Sequence, residues 1–357
     1  MTNSIDRTPP VFDGHNDLLS VLYRKDTKLE KTIEIIDFET GLDGHLDHEK
    51  IKAGGFGGGF FAIWVPSPID RENRRKQMQR ASYDLPLPAE IKQNDAINDT
   101  IGQAAILHRL KKERLLEICT NRSAIHDCFR NNQIAAVMHL EGAEAIDPDF
   151  YNLEILYEVG LRSLGPVWSR SNRFGHGVPF RYPSNGDIGP GLSEDGVRLI
   201  QYCNTKGILI DLSHLNEAGF WDVAKHSWKP LVATHSNAYS VSPHSRNLTD
   251  RQLAAIAETK GVVGVNFAVA FLRPDGQANE NTALGVILQH LDHLIEHLGE
   301  DGVALGSDFD GTTVPKDIKD ASGLPKLRQA MRDHGYKQDL IEKICNKNWL
   351  RVLELTW

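Results

Sequence analysis

Short apolar runs, each opened by a Gly, Pro or polar turn and closed by a polar residue, recur along the chain and predict buried strands. There are eight: PVFDGHND from Pro10, GGFFAIWV from Gly58, IAAVMHLEG from Ile134, GLRSLGPVW from Gly160, GILIDLSH from Gly207, PLVATHS from Pro230, GVVGVNF from Gly261 and GVALGSDFDG from Gly302. Most are rich in Val, Ile or Leu without polar alternation, the pattern of parallel strands covered on both faces. Between them the apolar period lengthens to that of helices. In ALGVILQHLDHLIEHLG, Leu284, Ile287, Leu288, Leu291, Leu294, Ile295 and Leu298 keep to one stripe. SEDGVRLIQYCNTKG starts at a capping Ser193 and ends at Gly207; TDRQLAAIAETKG is capped by Thr249 or Asp250 and stops at Gly261. Eight strands alternating with helices predict an α/β chain closed into a (β/α)8 TIM-like barrel, one domain over residues 1–357. No GxGxxG follows the first strand to favour an open doubly wound sheet.

Composition narrows the function. With 40% hydrophobic and 25% charged residues the chain reads as an ordinary globular protein. No apolar run reaches the ~18 residues of a membrane span. The N-terminus, MTNSIDRTPP, has neither the basic flank nor the apolar segment of a secretory signal, so a cytoplasmic location is expected. Forty Lys and Arg against 48 Asp and Glu give a net charge of -8, which offers no general attraction for nucleic acid. One basic run, RENRRKQMQR (Arg71 to Arg80), reads as a solvated helix or loop face. Cys119, Cys128, Cys203 and Cys345 lack CxxC spacing and read as buried thiols.

Three connections are too long for turns: Pro66 to Gln93, Ser169 to Gly191 and Phe309 to Leu324. Each follows the C-terminal end of a strand, the active face of a barrel, and all three are expected to cover the site. The polar residues that close the apolar runs gather at the same face. They are His15 and Asp17, Glu141, His214, His235 and Asp308. Residues i and i+2 of a strand project to one side, so the H-x-D pair can chelate a cation. Five nitrogen and oxygen ligands exceed one open tetrahedral zinc and suit two divalent ions sharing a bridging carboxylate, with Glu141 the natural bridge. The histidines favour zinc. Elsewhere, His290, His293 and His297 flank the leucine stripe of their helix and read as a solvated face. His139 shares a strand face with Glu141 and either supports a ligand or packs in the core, while His45 and His48 are expected to be exposed.

VFDGHNDLL, KAGGFGGGFFAIWV, HLEGAEAI, IDLSHL, ATHSNAYSV followed by HSRNLTD, and ALGSDFDG occur in an order that resembles the membrane (renal) dipeptidase family of zinc metallopeptidases. The resemblance runs from Val11 to Gly311. It implies a TIM-like barrel with two Zn2+ per chain, His15 and Asp17 on one ion, His214 and His235 on the other, and Glu141 bridging. It also implies that Arg246, in HSRN, holds the substrate carboxylate with its guanidinium fork, and that Asp308 manages the catalytic proton. Asp310 is assigned to the turn. One departure stands out: PVWSRSN places Trp168 where mammalian-type members carry a substrate-polarising histidine. Either Arg170, Asn172 or His176 in the following loop then supplies the missing donor, His176 first, or substrate preference has changed. The family's mammalian lipid anchor has no counterpart in the terminal VLELTW, so no membrane anchor is expected.

The expected activity is hydrolysis of dipeptides, L,D-dipeptides included, by a hydroxide bridging two zinc ions. Glu141 and Asp308 are catalytic, and Arg246, His176, Trp168 and Asn172 bind substrate. The expected partners are a small dipeptide and a second copy in a homodimer. Two other readings stay open: a deacylase or lactonase using the same metals, which Arg246 discriminates, and a non-catalytic binding barrel, which needs an incomplete ligand set.

Overall fold

A computed structural model describes residues 9–25, 38–39, 41–67 and 71–357. The expectation on the N-terminal leader, residues 1–8, and residues 68–70 of the first long connection lie outside the described residues. All eight predicted runs contain a strand: β1 (Val11–Asn16), β2 (Phe56–Trp64), β3 (Ala135–Glu141), β4 (Leu161–Gly165), β5 (Leu209–Ile210), β6 (Val232–Ala233), β7 (Val262–Val265) and β8 (Val303–Leu305). β1 to β5 form one parallel ladder in chain order. β6, β7 and β8 form a second. Parallel bridges between Asp211 and Val232 and between Asn16 and Phe309 join the two ladders at both edges, closing the (β/α)8 barrel. The last closure is reinforced where Asp17 N donates to Phe309 O (2.8 Å) and Asp308 N to His15 O (3.0 Å). β1 and β8 thus meet at the residues that carry the chemistry.

Local signals set the helix ends. The Ser193 hydroxyl accepts from Gly196 N at 3.0 Å, and Gly207 ends that helix in the left-handed region at φ 71°. Thr249 and Gln252 form a reciprocal capping box at the start of helix Asp250–Glu258. The leucine stripe becomes helix Leu284–Leu298, with Ile287, Leu288, Leu291 and Leu294 facing the core.

The inside of the barrel is layered. Phe12, Phe60, Val137, Leu209, Val232 and Val262 converge with Trp349 of the C-terminal helix into an apolar floor. The indole Nε1 of Trp349 donates to Leu305 O at 2.9 Å. A side chain at Gly14 would begin 2.6 Å from that ring, so β1 needs glycine there. Further along the same inward faces the residues turn polar: β3 reads Val137, His139, Glu141, from floor to mouth. An apolar floor and a polar rim place the groups able to meet water and ligand at the C-terminal side.

The long connections cover that side. Tyr83–Leu85 of the first pairs antiparallel with Phe180–Tyr182 of the second. This ribbon packs with Trp64, Trp168 and Phe271 as a small apolar cluster over the mouth. The run Arg71 to Arg80 contains helix Arg71–Gln77 but is not simply a solvated face, because Arg74 stacks over the Phe180 ring at 4.0 Å. His290 also departs from expectation. It is fully buried, accepting from Ala238 N at 3.2 Å through Nδ1 and donating to Leu272 O at 2.8 Å through Nε2. His45 is half-buried rather than exposed, accepting from Asp310 N at 2.8 Å, whereas His48 is exposed. The four cysteines are free and buried. Among the described residues, no helix is long and apolar enough to cross a membrane.

Candidate metal centre and active site

Glu141, at the last position of β3, lies at the middle of the strand-end cluster. Its Oε1 is 3.0 Å from His214 Nε2, 3.4 Å from His235 Nε2 and 3.6 Å from His15 Nε2. The two later histidines have Nε2 atoms 3.0 Å apart, and Asp17 Oδ2 is 3.5 Å from His15 Nε2. Two overlapping groups have ligand atoms within metal-sharing distance: His15, Glu141 and His235, and His15, Asp17 and Asp308. The H-x-D pair points to one place because the register of β1 on β2 shifts between Asp13 and Asn16, turning both side chains toward the mouth.

Neighbours aim these rings. His214 Nδ1 meets Ser169 Oγ at 2.8 Å, and His235 Nδ1 meets Thr234 Oγ1 at 2.8 Å. Thr234 Oγ1 in turn donates to Asp211 Oδ2 at 2.6 Å, while Asp211 Oδ1 accepts from Thr234 N and Ser213 N. His139 contacts Ser163 Oγ at 2.9 Å and packs edge-on to His15, and burial pushes it down to about 4, so it is neutral and supportive. His214 and Asp308 take positive φ values of 68° and 58°, backbone strain of the kind that functional sites retain. Asp308 Oδ2 accepts from Asn266 Nδ2 at 2.9 Å. A Cβ at Gly311 would fall 2.2 Å from Asp17 Oδ2 and 2.3 Å from Asp308 Oδ1, so only glycine lets the last loop close on both carboxylates.

The residues present fit a metal. His15 is completely buried, yet neither ring nitrogen has a hydrogen-bond partner among the described residues. Polar atoms are rarely left so without cause. Burial disfavours charge on His15, but Glu141, Asp17 and Asp308 outweigh it and push its pKa up to about 10. The pocket therefore calls for positive charge. Burial, with Arg246 and His15 adding to it, holds His214 and His235 well below the usual imidazole value, leaving them neutral. Neutral imidazoles beside carboxylates are a donor set for zinc-like ions. We expect Asp211→Asn, which loosens Thr234 and through it His235, to weaken metal retention by about 10- to 100-fold, read by competition with a chelator.

A cavity of about 270 Å³ opens onto the cluster, lined by Asp17, Glu141, Trp168, His214 and Asp308. All three long connections contribute: Arg74, Arg75 and Met78 from the first, Phe180 from the second, and Asp310 to Thr313 from the third. Val269 to Phe271, after β7, complete the wall. Trp168 lies 5.7 Å from the His214 ring and 5.2 Å from Trp64. The proposed stand-ins beside it are engaged elsewhere and are not among the lining residues. Arg170 is buried in an ion pair with Glu144 at 2.9 Å; Asn172 donates to Pro166 O and accepts from Phe174 N; His176 meets Ser171 Oγ at 2.9 Å. Among the described residues, the cations lining the cavity are Arg24, Arg74 and Arg75. Arg246 is also not among the lining residues; it is buried beside the cluster, donating to His235 O at 3.1 Å, and its Nε has no partner among the described residues.

A parallel barrel whose strand ends bring imidazoles and carboxylates together around a small cavity defines a metal-dependent hydrolase. Comparison with known proteins makes this specific. The chain matches the membrane dipeptidase family (peptidase family M19) over residues 1–356, and it belongs to that family, as a metallodipeptidase. It is 46% identical over 265 residues to an uncharacterised protein from the pqqA 5′ region of Klebsiella pneumoniae, covering 74% of this chain and 98% of that one. The fold superimposes with a TM-score of 0.95 on a metallopeptidase from Rhodobacter sphaeroides liganded with a phosphinate mimic of the dipeptide L-Ala-D-Ala. That protein is 48% identical, with 98% of this chain and all of the other covered. An amidohydrolase from Pseudomonas aeruginosa, 18% identical with a TM-score of 0.74 over 98% of this chain and 97% of its own, shares the fold.

Proposed function

We propose that the chain, acting as one barrel domain, holds two zinc ions and hydrolyses short dipeptides, including those with a C-terminal D-residue. His15 and Asp17 would hold one ion, His214 and His235 the other, with Glu141 shared. The observation that carries this is the position of Glu141 Oε1, within 3.0 to 3.6 Å of three buried imidazole Nε2 atoms. The L-Ala-D-Ala mimic in the Rhodobacter relative supports the substrate class. Zinc at such a site supplies Lewis-acid polarisation and a water that deprotonates near neutral pH.

The chain's own groups then have distinct tasks. Asp308, anchored at Oδ2 by Asn266, accepts a proton from the attacking water and returns it to the leaving amine. Arg246 pairs with the free carboxylate of the substrate and so limits its length. Burial lowers the Arg246 pKa to about 10, with Asp308 and Glu141 pulling the other way, so it is still charged at neutral pH. Trp168 and Phe180 form the apolar wall that excludes water. For a cytoplasmic setting, the prediction is that Cys119 and Cys128, buried with sulfurs 3.7 Å apart, titrate as free thiols once the protein is unfolded without reductant. For a homodimer, the stripe Tyr151, Ile155 and Val159, exposed at 70%, 62% and 39%, offers a face; sedimentation showing only monomer would remove this part.

The test is a panel of L,L and L,D dipeptides assayed with protein stripped by chelation and then reloaded with zinc. The stripped protein should be inactive and the reloaded protein active; full activity without metal would overturn the reading. In the same assay the acid limb is set by Asp308. Burial pushes its pKa up to about 6, and the ionised form is the proton acceptor. The value of kcat/KM should therefore rise with pH along an acid limb and then level off, and Asp308→Asn, which cannot accept the proton at any pH, should lose activity across the whole range.

A further inference from the structure

A second group of ligand-type side chains lies on the outer helical layer, where Asp250 begins one helix and His293 and His297 sit four residues apart on another. The i, i+4 spacing puts both imidazoles on one face. His293 Nε2 is 2.7 Å from Asp250 Oδ1, and His297 Nε2 is 3.8 Å from the same atom. The two rings are 4.4 Å apart, and the three ligand atoms lie within 4.8 Å of one another. Asp250 is not free to turn away, because its Oδ2 accepts from Ser240 Oγ at 2.9 Å. In tetrahedral zinc, bonds near 2.0–2.1 Å place ligand atoms roughly 3.3 Å apart, and the separations seen here fall on either side of that value.

We infer that Asp250, His293 and His297 form a further zinc site, distinct from the strand-end cluster, with a water completing the coordination. The side chains are 19% to 44% exposed, open enough for an ion to enter and too open for a catalytic cavity. In the absence of metal, the His293 Nε2–H tautomer donates to Asp250; when zinc binds, the single hydrogen of the neutral imidazole moves through solvent to Nδ1, and the Nε2 lone pair is presented to the ion. Two nitrogens and one carboxylate oxygen favour zinc over magnesium or calcium.

The site has a structural consequence for the chain. Helix Leu284–Leu298 already holds Ala238 N through His290. An ion at Asp250 would fasten the other end of the segment 238–250 to the same helix, and that segment carries Arg246. Zinc binding outside the barrel would thus steady the residue assigned to the substrate carboxylate. The existence of the site itself does not depend on that assignment.

The experiment uses the zinc-loaded enzyme, dialysed against graded free zinc, with zinc per chain counted by elemental analysis beside His297→Ala and His293→Gln. Wild type should take up one equivalent more than either variant, and its melting temperature should rise with that uptake while theirs does not. Hydrolysis at low free zinc should be equal in all three. Equal uptake by wild type and variants would place the extra ion elsewhere and overturn the proposal. So would no additional uptake up to about 1 mM free zinc, a limit weaker than a specific site needs.

Discussion

Glu141→Ala is expected to empty the centre and reduce kcat/KM on a dipeptide by about 10³-fold or more, a loss of ~4 kcal/mol in transition-state stabilisation. The carboxylate is the one group in contact with all three imidazoles, and burial raises its pKa well above the usual carboxyl value, so a positive charge must be present to keep it ionised. Removing it leaves His214 and His235 without a carboxylate between them, and only Asp17 and Asp308, on the His15 side, to balance a cation. His214→Ala should lose one ion and a similar share of activity. Glu141→Gln keeps the volume but not the charge and should resemble alanine, which separates lost charge from lost packing. Elemental analysis on the samples assayed, with circular dichroism to confirm folding, checks this. A folded Glu141→Ala protein with full metal and activity within tenfold of the parent would contradict the assignment.

Arg246→Met should lower kcat/KM on free dipeptides by roughly 30- to 10³-fold, the cost of leaving a substrate carboxylate unpaired in a buried site. On C-terminally amidated dipeptides, which are expected to be poor substrates of the parent, the same change should do little. The contrast matters because it distinguishes a dipeptidase from a deacylase or lactonase built on the same ligands. If the parent cleaved free and amidated substrates equally well, and Arg246→Met affected both equally, the guanidinium would not be reading a carboxylate.

The barrel was legible because burial on both faces leaves an unbroken apolar run, and that signal survives even where regular pairing is short, as in β5 and β6, each of two residues. The five ligand-type residues could be read for a related reason: each closes such a run, and strand ends share one rim. What surrounds them was less visible. Asp211 acts on His235 through Thr234, by one hydrogen bond between strands 23 residues apart and one between sequence neighbours, a relay no spacing rule gives, though a carboxylate three residues before His214 in IDLSH was the available signal. His290 lies beside the leucine stripe and looks polar in sequence; it is buried because two backbone groups from elsewhere, Ala238 N and Leu272 O, satisfy both its nitrogens. The ribbon of Tyr83–Leu85 with Phe180–Tyr182 joins segments about 95 residues apart, and no local pattern specifies such a pairing. That ribbon fixes Phe180, and with it the stacking of Arg74 that the charge run concealed. The settings of Arg170, Asn172 and His176 were hidden for a similar reason, since their partners Glu144, Pro166 O and Ser171 are brought to them by the fold.

The most direct measurement is anomalous scattering at the zinc absorption edge from crystals of the zinc-loaded protein. The account predicts two peaks at the C-terminal mouth of the barrel, one bordered by His15 and Asp17 and the other by His214 and His235, with Glu141 reaching both. A mouth without anomalous signal in an active crystal, or a peak whose neighbours exclude Glu141, would contradict it.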